Sequence, residues 1–447
     1  MNKSAFHGYL NKVFRLETHS TTVSREIVAG FTTFAAMSYI LAVNPMILGA
    51  TGMDPAGLIT VTALAACVGS LLMAGLTNYP LALAPGMGLN AFFAFTVVSG
   101  MGLPWEAALG LVFWNGILFL LLSVSGVRGK IADAIPGCLK LGIQCGIGFF
   151  IAFIGFKNGG VIEAREATFV GLGDFQEAGP WLVLGGLIVM AAWHIRKFPA
   201  AILGGILLIT LVGLFLPAGA GMVTARPEGL IGRPTGIGET FLALDFGYAF
   251  RHFGEIYPIL IALLLVDMFD TVGTLIGVSR RAGLLTQEGR LPKIGRALSA
   301  DASATILGAL FGTSTTTAYV ESAAGVEAGG RTGLTAVVVG LLFLLALFFT
   351  PLILVIPPEA TAPALILVGV FMAQGLRYLA YDDLTEFLPA LVTILAMPLT
   401  FSISNGIALG FLSYALLKVA TGQTRQVHWL VYLLAAVFLL HFLFFAE

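Results

Sequence analysis

Long apolar stretches, separated by short polar segments, follow one another along the whole chain. Many of them approach or exceed the ~20 consecutive apolar residues that a helix needs to cross a bilayer. The pattern therefore predicts an all-α, polytopic membrane protein. The stretches lie at about 27–48, 56–76, 81–99, 105–125, 137–156, 180–195, 199–217, 255–278, 298–312, 316–328, 333–354, 362–376, 385–401, 403–420 and 427–446.

The amino-acid composition narrows the class of protein further. Of the 447 residues, 58% are hydrophobic and only 11% are charged, whereas soluble domains carry about 25% charged residues. The mean hydropathy is +0.95. The net charge of −1 and the scatter of basic residues over loops leave no basic stripe for a nucleic acid. We therefore expect a protein that resides in the lipid bilayer of the cell membrane and has no nucleic-acid partner.

Basic residues are distributed unevenly over alternate loops. With a cytoplasmic N-terminus and fourteen crossings, eighteen of the 23 Lys and Arg residues fall on the cytoplasmic side and five outside. This bias agrees with the positive-inside rule and predicts a cytoplasmic N-terminus. The five outer residues are Lys157, Arg165, Arg226, Arg233 and Arg251.

Fourteen crossings divide into two halves of seven, which predicts two repeats of inverted orientation. The longest hydrophilic linker, Pro217–Glu255, falls between the halves. The predicted division is a tail at 1–26, a first repeat at 27–217, an outer linker at 218–254 and a second repeat at 255–420. The remaining segment, 421–447, contains a fifteenth stretch. It is an extra span, an interfacial helix, or a sign that one helix has been split in two.

The third segment of each half is interrupted. Segment 3 contains APGMGLN at Ala84–Asn90, and segment 10 begins with GTSTTT at Gly312–Thr317. Proline, glycine and consecutive threonines are poor helix formers. Non-helical backbone at membrane depth is tolerated only where protein or a wet cavity satisfies its polar groups. Both interruptions are therefore expected to line a binding site near the middle of the membrane.

Two aspartates, Asp267 and Asp270, lie within the apolar run of segment 8. Residues three apart lie on one helix face, so both acids are expected to point the same way. A charge at mid-membrane costs about 2.5–3.5 kcal/mol and usually marks a substrate or proton pathway. The alternatives are an acid pair at a helix end in a cytoplasmic loop, or a buried acid satisfied by neighbouring hydroxyls.

The interrupted segments add two further polar candidates, Asn90 and Glu321. Carboxylates accept hydrogen bonds and an amide both donates and accepts, which suits a flat ligand with N–H donors on one edge and acceptors on another. A purine or pyrimidine base has such edges and stacks on aromatic faces. The nearby aromatic residues are Phe92, Phe93 and Phe269. Each of these phenylalanines is, on burial preferences alone, more often a core or lipid-facing residue.

Five stretches carry a family resemblance. They are REIVAGFTTFAAMSYILAVNP (25–45), APGMGLNAFFAF (84–95), VDMFDTVGTLIG (266–277), GRALSADA (295–302) and TSTTTAYVESAAGVEAGGRTGLTAVV (313–338). Together they resemble the AzgA-type guanine/hypoxanthine permeases of the nucleobase–ascorbate (NCS2) transporters, across essentially the whole chain.

The resemblance implies proton-coupled uptake of adenine, guanine or hypoxanthine, and the uracil-transporter fold. In that fold two inverted repeats of seven segments form a core domain (segments 1–4 and 8–11) and a gate domain (segments 5–7 and 12–14). Dimerisation through the gate domain is common in the family. Short extended pieces are expected in segments 3 and 10.

Site residues follow from the same resemblance. Glu321 is expected to be the main base-binding acid, after an extended piece at Thr315–Val320, with Gly86–Ala91 as the counterpart in segment 3. Either Asp267 or Asp270 contacts the base, and the choice between them stays open. The expected substrate-binding residues are Glu321, Asp267, Asn90, Phe92, Thr316 and Val320; those expected to serve proton coupling or site tuning are Asp270, Asp267 and Glu321.

The carboxylates also suggest how transport is energised. Desolvation and a neighbouring like charge both favour protonation, so at least one of the three acids is expected to exchange protons with the medium. The six histidines lie in tails, loops or segment ends and are not expected to act as the shuttle.

Other function classes fit the residues less well. A cation/proton antiporter would also keep buried acids but needs fewer neutral hydrogen-bonding groups, and an anion transporter of the same architecture would favour basic or amide-lined sites. No metal cluster or nucleophile–base pair occurs at the expected membrane depth, so we expect no enzyme activity, cofactor or metal.

Overall fold

The computed structural model describes residues 3–126, 131, 134–218, 221–227, 229–286 and 291–444. Three basic residues that were assigned to the cytoplasmic side, Arg128, Lys130 and Arg290, lie outside this part of the chain. Within it, helices predominate, and the strands are only two to four residues long.

Nine helices in the described residues are long and apolar enough to span a membrane, and four shorter apolar helices accompany them. The prediction of a helical, polytopic membrane protein is thereby confirmed. The arrangement as fourteen inverted segments stays a prediction. The nine helical stretches are Val23–Gly49, Pro55–Thr77, Trp105–Val124, Gly137–Asn158, Ala178–Ile195, Phe253–Arg281, Gly333–Leu354, Pro358–Tyr378 and Ile403–Ala420.

The elements of the first half follow the apolar stretches closely. The helices are α1 (Lys3–Phe14), α2 (Val23–Met37), α3 (Ile40–Gly49), α4 (Pro55–Thr77), α5 (Met87–Ala91), α6 (Trp105–Val124), α7 (Gly137–Asn158), α8 (Ala178–Ile195) and α9 (Ala201–Gly213). A π-helical segment, Phe92–Gly100, continues α5. The strands are β1 (Leu83–Pro85), β2 (Ile162–Arg165), β3 (Phe169–Leu172), β4 (Pro217–Ala218) and β5 (Gly221–Met222).

The second half contains one strand, β6 (Thr316–Ala318), among its helices. The helices are α10 (Tyr248–Arg251), α11 (Phe253–Arg281), α12 (Ile294–Phe311), α13 (Ser322–Glu327), α14 (Gly333–Ala346), α15 (Thr350–Leu354), α16 (Pro358–Ala373), α17 (Leu384–Leu399), α18 (Ile403–Ala420) and α19 (Trp429–Phe444). Short 3₁₀ turns, Leu347–Phe349, Gln374–Tyr378 and Thr424–Gln426, join some of them.

The two interrupted segments meet in a buried pair of strands. β1 and β6 run antiparallel, with Leu83 opposite Ala318 and Pro85 opposite Thr316. The pairing continues beyond the strands, because Gly86 N–H donates to Thr315 O (2.9 Å). Non-helical backbone inside a membrane protein needs internal hydrogen-bond partners, and each strand supplies those of the other. The short extended pieces expected in segments 3 and 10 are thus present.

The close approach of the strands explains the glycine between β1 and α5. A Cβ atom on Gly86 would lie 2.7 Å from Thr317 Cγ2, which is closer than two carbon atoms can pack without displacement. Any side chain at this position would push the strands apart.

The helices pack most extensively within two groups. One group contains α2, α4, α6, α12, α13 and α14 around the strand pair, and the other contains α7, α8, α9, α16, α17 and α18. Helix α11 touches members of both, including α6 and β6 on one side and α7 and α18 on the other. Helix α11, which carries the acids of segment 8, therefore lies at the boundary between the groups.

The fifteenth apolar stretch forms its own helix, α19, beyond the 3₁₀ turn Thr424–Gln426. It packs on α18, where the rings of Phe411 and Phe438 lie 5.9 Å apart. It also meets α11, because the Tyr257 hydroxyl donates to Val437 O (3.5 Å).

Candidate functional site

A short helix follows each strand of the buried pair. Helix α5 begins one residue after β1, and α13 begins at Ser322, directly after Glu321. Because β1 and β6 are antiparallel, the two helices follow opposite ends of the strand pair. Helix N-termini carry partial positive charge and favour acceptor groups of a ligand. That the two short helices point at a ligand in the middle of the membrane stays a prediction.

Glu321 occupies the N-cap position of α13 and is partly exposed. Its Oε1 accepts a hydrogen bond from the Tyr39 hydroxyl at 2.6 Å. Tyr39 is almost fully buried and sits at the break between α2 and α3. The tyrosine thereby fixes one carboxylate oxygen. The preceding residue, Val320, is 54% exposed.

Asp270 lies on a polar and glycine-rich face of α11. It is partly exposed, like Thr274, and the glycines at 273 and 277 on the same face are exposed with nothing packed against them. A face of aspartate, threonine and glycine is unsuited to lipid and fits the wall of a wet cleft. Asp270 interacts electrostatically with Glu321 and with Asp301 of α12. The exposed face runs from Asp270 towards the end of α11 that carries Arg281.

Asp267 has different surroundings from Asp270. It is fully buried, and its Oδ2 accepts from Asn115 Nδ2 of α6 at 3.2 Å. Thr271, one turn further along α11, contacts Asp267 Oδ1 (3.5 Å) and donates to Asp301 Oδ2 (2.9 Å). Asp301 in turn accepts from the backbone N–H of Ala318 in β6 at 3.0 Å. Asp267 thus belongs to a buried polar cluster that holds β6 against α11 and α12.

Asn90 lies in a second buried cluster, which joins segments 1, 2, 3 and 10. Its Nδ2 donates to Asn44 Oδ1 at 2.6 Å, and its Oδ1 accepts from the Ser314 hydroxyl. Asn44 Nδ2 donates to Thr62 Oγ1 (2.7 Å) and to Thr313 Oγ1 (3.1 Å). All five residues are fully buried. Both polar atoms of the Asn90 side chain are therefore engaged by protein groups in this conformation.

The remaining residues that were predicted to contact the ligand differ in their burial. Phe92 and Thr316 are fully buried, whereas Val320 is exposed next to Glu321. The Thr316 hydroxyl has no hydrogen-bond partner among the described residues. Of the residues expected to bind or tune the ligand, Glu321, Asp270 and Val320 are partly or fully exposed, and we infer that they line one cleft, the acidic cleft. Asp267, Asn90, Phe92 and Thr316 are buried.

Sequence reasoning missed Tyr39, Asn44, Asn115 and Asp301. Asn44 and Asp301 carried a detectable signal, because each is a lone polar group in an apolar stretch that the resemblance already included (25–45 and 295–302). Tyr39 carried none, since nothing in the local pattern shows that it reaches a residue 282 positions away. No group of three or more His, Cys, Asp or Glu side chains in the described part of the chain could hold a metal ion.

Comparison with known proteins identifies the family. The Permease family (Xan_ur_permease) matches residues 24–409. The putative permease MJ0326 of Methanocaldococcus jannaschii is 45% identical over 98% of both chains. The adenine permease AdeQ of Escherichia coli is 44% identical over 97% of this chain and 96% of its own. The guanine/hypoxanthine permease PbuO of Bacillus subtilis is 43% identical over 95% of this chain and 98% of its own.

Solved structures share the fold at much lower sequence identity. The transmembrane domain of the cyanobacterial bicarbonate transporter BicA matches with a TM-score of 0.63 and 15% identity, over 86% of this chain and 96% of that one. The murine anion transporter Slc26a9, in its inward-facing state, matches with a TM-score of 0.66 and 13% identity, over 89% of this chain and 68% of that one. The family and the relatives are permeases and not enzymes. The resemblance to the nucleobase–ascorbate transporters is thereby confirmed, and the chain belongs to the Permease family of membrane transporters.

Proposed function

We propose that the protein takes up purine nucleobases, namely adenine, guanine and hypoxanthine, together with protons, across the cell membrane. The names of relatives at 43–44% identity support the substrate class. The observation that carries the proposal is that Glu321 and Asp270 are both partly exposed and interact electrostatically, with Glu321 three residues after β6. An acid-lined cleft with a tyrosine on one acid suits a neutral ligand that donates N–H groups.

Purine recognition would use the two carboxylates as acceptors. A purine presents ring N–H and exocyclic amino donors along its edges, and carboxylate oxygens accept from such groups. Tyr39 holds Glu321 Oε1, so the carboxylate meets the ligand in a fixed orientation. Ring-nitrogen and carbonyl acceptors of the base would face the N-terminal end of α5, where Gly86 provides no side-chain cap for the backbone N–H groups.

Proton coupling would use the same acids. Two carboxylates that interact electrostatically in a low-dielectric site are more stable when one of them is protonated. A proton taken up from the outside would neutralise a charge that is costly to carry through the membrane, and its release inside would complete the cycle. Cation/proton antiport and anion transport remain the competing functions, and uptake assays with labelled substrates distinguish them from purine transport.

Uptake of labelled hypoxanthine by cells or proteoliposomes tests the function directly. We expect uptake to rise when the external pH is lowered, because an inward proton gradient then supplies the driving force. A protonophore should collapse accumulation, and unlabelled adenine, guanine or hypoxanthine should compete. Accumulation that survives the protonophore would refute proton coupling. No saturable uptake of any purine would refute the substrate class.

Asp270, more than Asp267, fits direct contact with the base. Asp270 faces the cleft, while Asp267 is buried against Asn115 and Thr271. We expect Asp270→Asn to raise KM for hypoxanthine by about tenfold, the cost of one charge-assisted hydrogen bond. Asp267→Asn should instead leave less folded protein, because it disturbs a buried polar cluster. Measured KM values and thermal stabilities of the two purified variants distinguish these outcomes, and a reversed pattern would assign the contact to Asp267.

Alternating access would move the two helix groups relative to each other. In the proposed arrangement, fourteen segments form two inverted repeats, with a core domain around the strand pair and a gate domain formed by the α7–α9 and α16–α18 group. Helix α11 at their boundary would carry the acids to alternate sides. The N-terminus would be cytoplasmic, and two copies would associate through the gate domain.

A further inference from the structure

Four phenylalanine rings form a cluster around Phe401. The ring of Phe401 lies 5.8 Å from that of Phe95, 5.3 Å from that of Phe150 and 6.1 Å from that of Phe153. Phe95 belongs to the π-helical segment after α5, whereas Phe401 lies between α17 and α18. The backbone N–H of Ile403 also approaches Thr96 Oγ1 (3.4 Å). The cluster therefore joins the π-helical segment after α5 to α7 and to the connection between α17 and α18.

A cavity of about 200 Å³ lies directly above this cluster. Three aromatic rings line it, those of Phe153, Phe169 and Phe401, together with Lys157 and Glu163. Its outer wall is the hairpin of β2 and β3. Drug-sized ligands occupy pockets of about 300–1,000 Å³, so a cavity of this size suits a smaller molecule such as a single heterocyclic base.

The two charged side chains that line the cavity, Glu163 and Lys157, differ in whether they form an ion pair. Glu163 is paired with Arg165 at 3.1 Å. Lys157 makes no ion pair among the described residues, and its ammonium lies 5.0 Å from the centroid of the Phe401 ring. A lysine held over an aromatic face, with N–H donors to spare, presents hydrogen bonds to a ligand that stacks beside it. Phe169 also lines this space and is 86% exposed, so its ring is accessible for stacking.

We propose that this cavity, the outer subsite, binds a purine base before the phenylalanine cluster opens. The base would stack on Phe401 or Phe169 and accept a hydrogen bond from Lys157 through a ring nitrogen or carbonyl oxygen. The distribution of basic residues predicts that the hairpin lies outside the cell. The subsite would then face the substrate supply, while the acidic cleft would face the other side. The inference rests on the proposed function for the identity of the ligand.

Thiol protection tests occupancy of the subsite separately from transport. Val170 lines the cavity and is 39% exposed, whereas the three native cysteines are buried. In intact cells, Val170→Cys should react with a membrane-impermeant maleimide, and external hypoxanthine should slow the reaction several-fold. The same protection is expected in the double variant with Glu321→Gln, because the subsite does not include Glu321.

Each outcome of this experiment has one meaning. Protection in both backgrounds supports the outer subsite. If protection disappears with Glu321→Gln, occupancy of the acidic cleft causes the protection, and the inference is overturned. The inference is also overturned if hypoxanthine gives no protection, or if the maleimide does not label Val170→Cys from outside. The proposed function fails on a different measurement, namely the absence of purine uptake by the unmodified protein.

Transport kinetics provide a second, independent measurement. Phe401→Leu should raise KM for hypoxanthine about tenfold through loss of a stacking face. Lys157→Met should raise KM about threefold. Arg226→Met removes an exposed charge from the same predicted side, away from the cavity, and serves as the matched control. Equal KM values for Lys157→Met and Arg226→Met would contradict a role for the lysine.

Discussion

Replacing Glu321 with glutamine is expected to abolish purine uptake and to leave folding and membrane insertion intact. Glutamine has nearly the same shape, and its carbonyl oxygen can still accept from the Tyr39 hydroxyl. The variant loses the negative charge that would accept N–H groups of the base and would carry the coupling proton. One charge-assisted hydrogen bond is worth about 1.5–3 kcal/mol, or roughly a 10- to 150-fold loss of affinity, before the loss of proton coupling is added.

Uptake of labelled hypoxanthine, normalised to the amount of protein in the membrane, measures this effect. Glu327→Gln is the matched control, because Glu327 lies only six residues further on but is exposed and pairs with Arg281 at the surface. We expect that control to transport normally. Normal uptake by Glu321→Gln at equal expression would remove Glu321 from the binding site.

Replacing Glu26 with alanine is expected to destabilise the fold by about 3 kcal/mol or more. The carboxylate is fully buried in α2. Its oxygens accept from the backbone N–H groups of Arg331 (2.9 Å), Thr332 (3.3 Å) and Thr335 (3.2 Å), and from the Thr335 hydroxyl (2.6 Å). Arg331 and Thr332 immediately precede α14, which begins at Gly333, and Thr335 lies in its first turn. Alanine would leave them buried without an acceptor and would remove a negative charge from a helix N-terminus.

The melting temperature of the purified protein in detergent measures this loss. Glu26→Gln should fall between the native protein and Glu26→Ala, because it keeps one oxygen acceptor. Glu327→Ala again serves as the control, since an exposed ion pair contributes only about 0–1 kcal/mol. A melting temperature for Glu26→Ala equal to that of Glu327→Ala would show that the buried carboxylate does not anchor α14.

The predicted helices follow the apolar stretches because length and hydropathy are local properties. A run of about twenty apolar residues must form backbone hydrogen bonds internally when water is absent, so its helical state needs no knowledge of distant residues. The interruptions in segments 3 and 10 are local for the same reason, because proline, glycine and repeated threonine disfavour a helix wherever they occur. That β1 and β6 pair with each other, across more than 230 residues, is a tertiary property.

The surroundings of Asp267 and Asp270 could not be predicted from the sequence. The sequence places Asp267 and Asp270 three residues apart on α11, and helical periodicity alone assigns them one face. The structure gives them different surroundings, because the neighbours of α11 differ along that face. Asn115 of α6 covers Asp267, and the cleft lies beside Asp270. The same holds for Asn90, whose partners Asn44 and Ser314 come from segments 1 and 10.

The sequence by itself determined that this protein is a helical, polytopic membrane permease, which segments are broken and which few polar side chains lie within apolar surroundings. Only the tertiary structure decided which of those side chains face a cleft and which hold buried elements together, and it alone revealed Tyr39 on Glu321 and the four phenylalanines around Phe401. The physical reason is the range of the interactions. Hydropathy and backbone propensity act within one segment, whereas burial and hydrogen-bond partners are set by whichever helices the whole chain brings alongside.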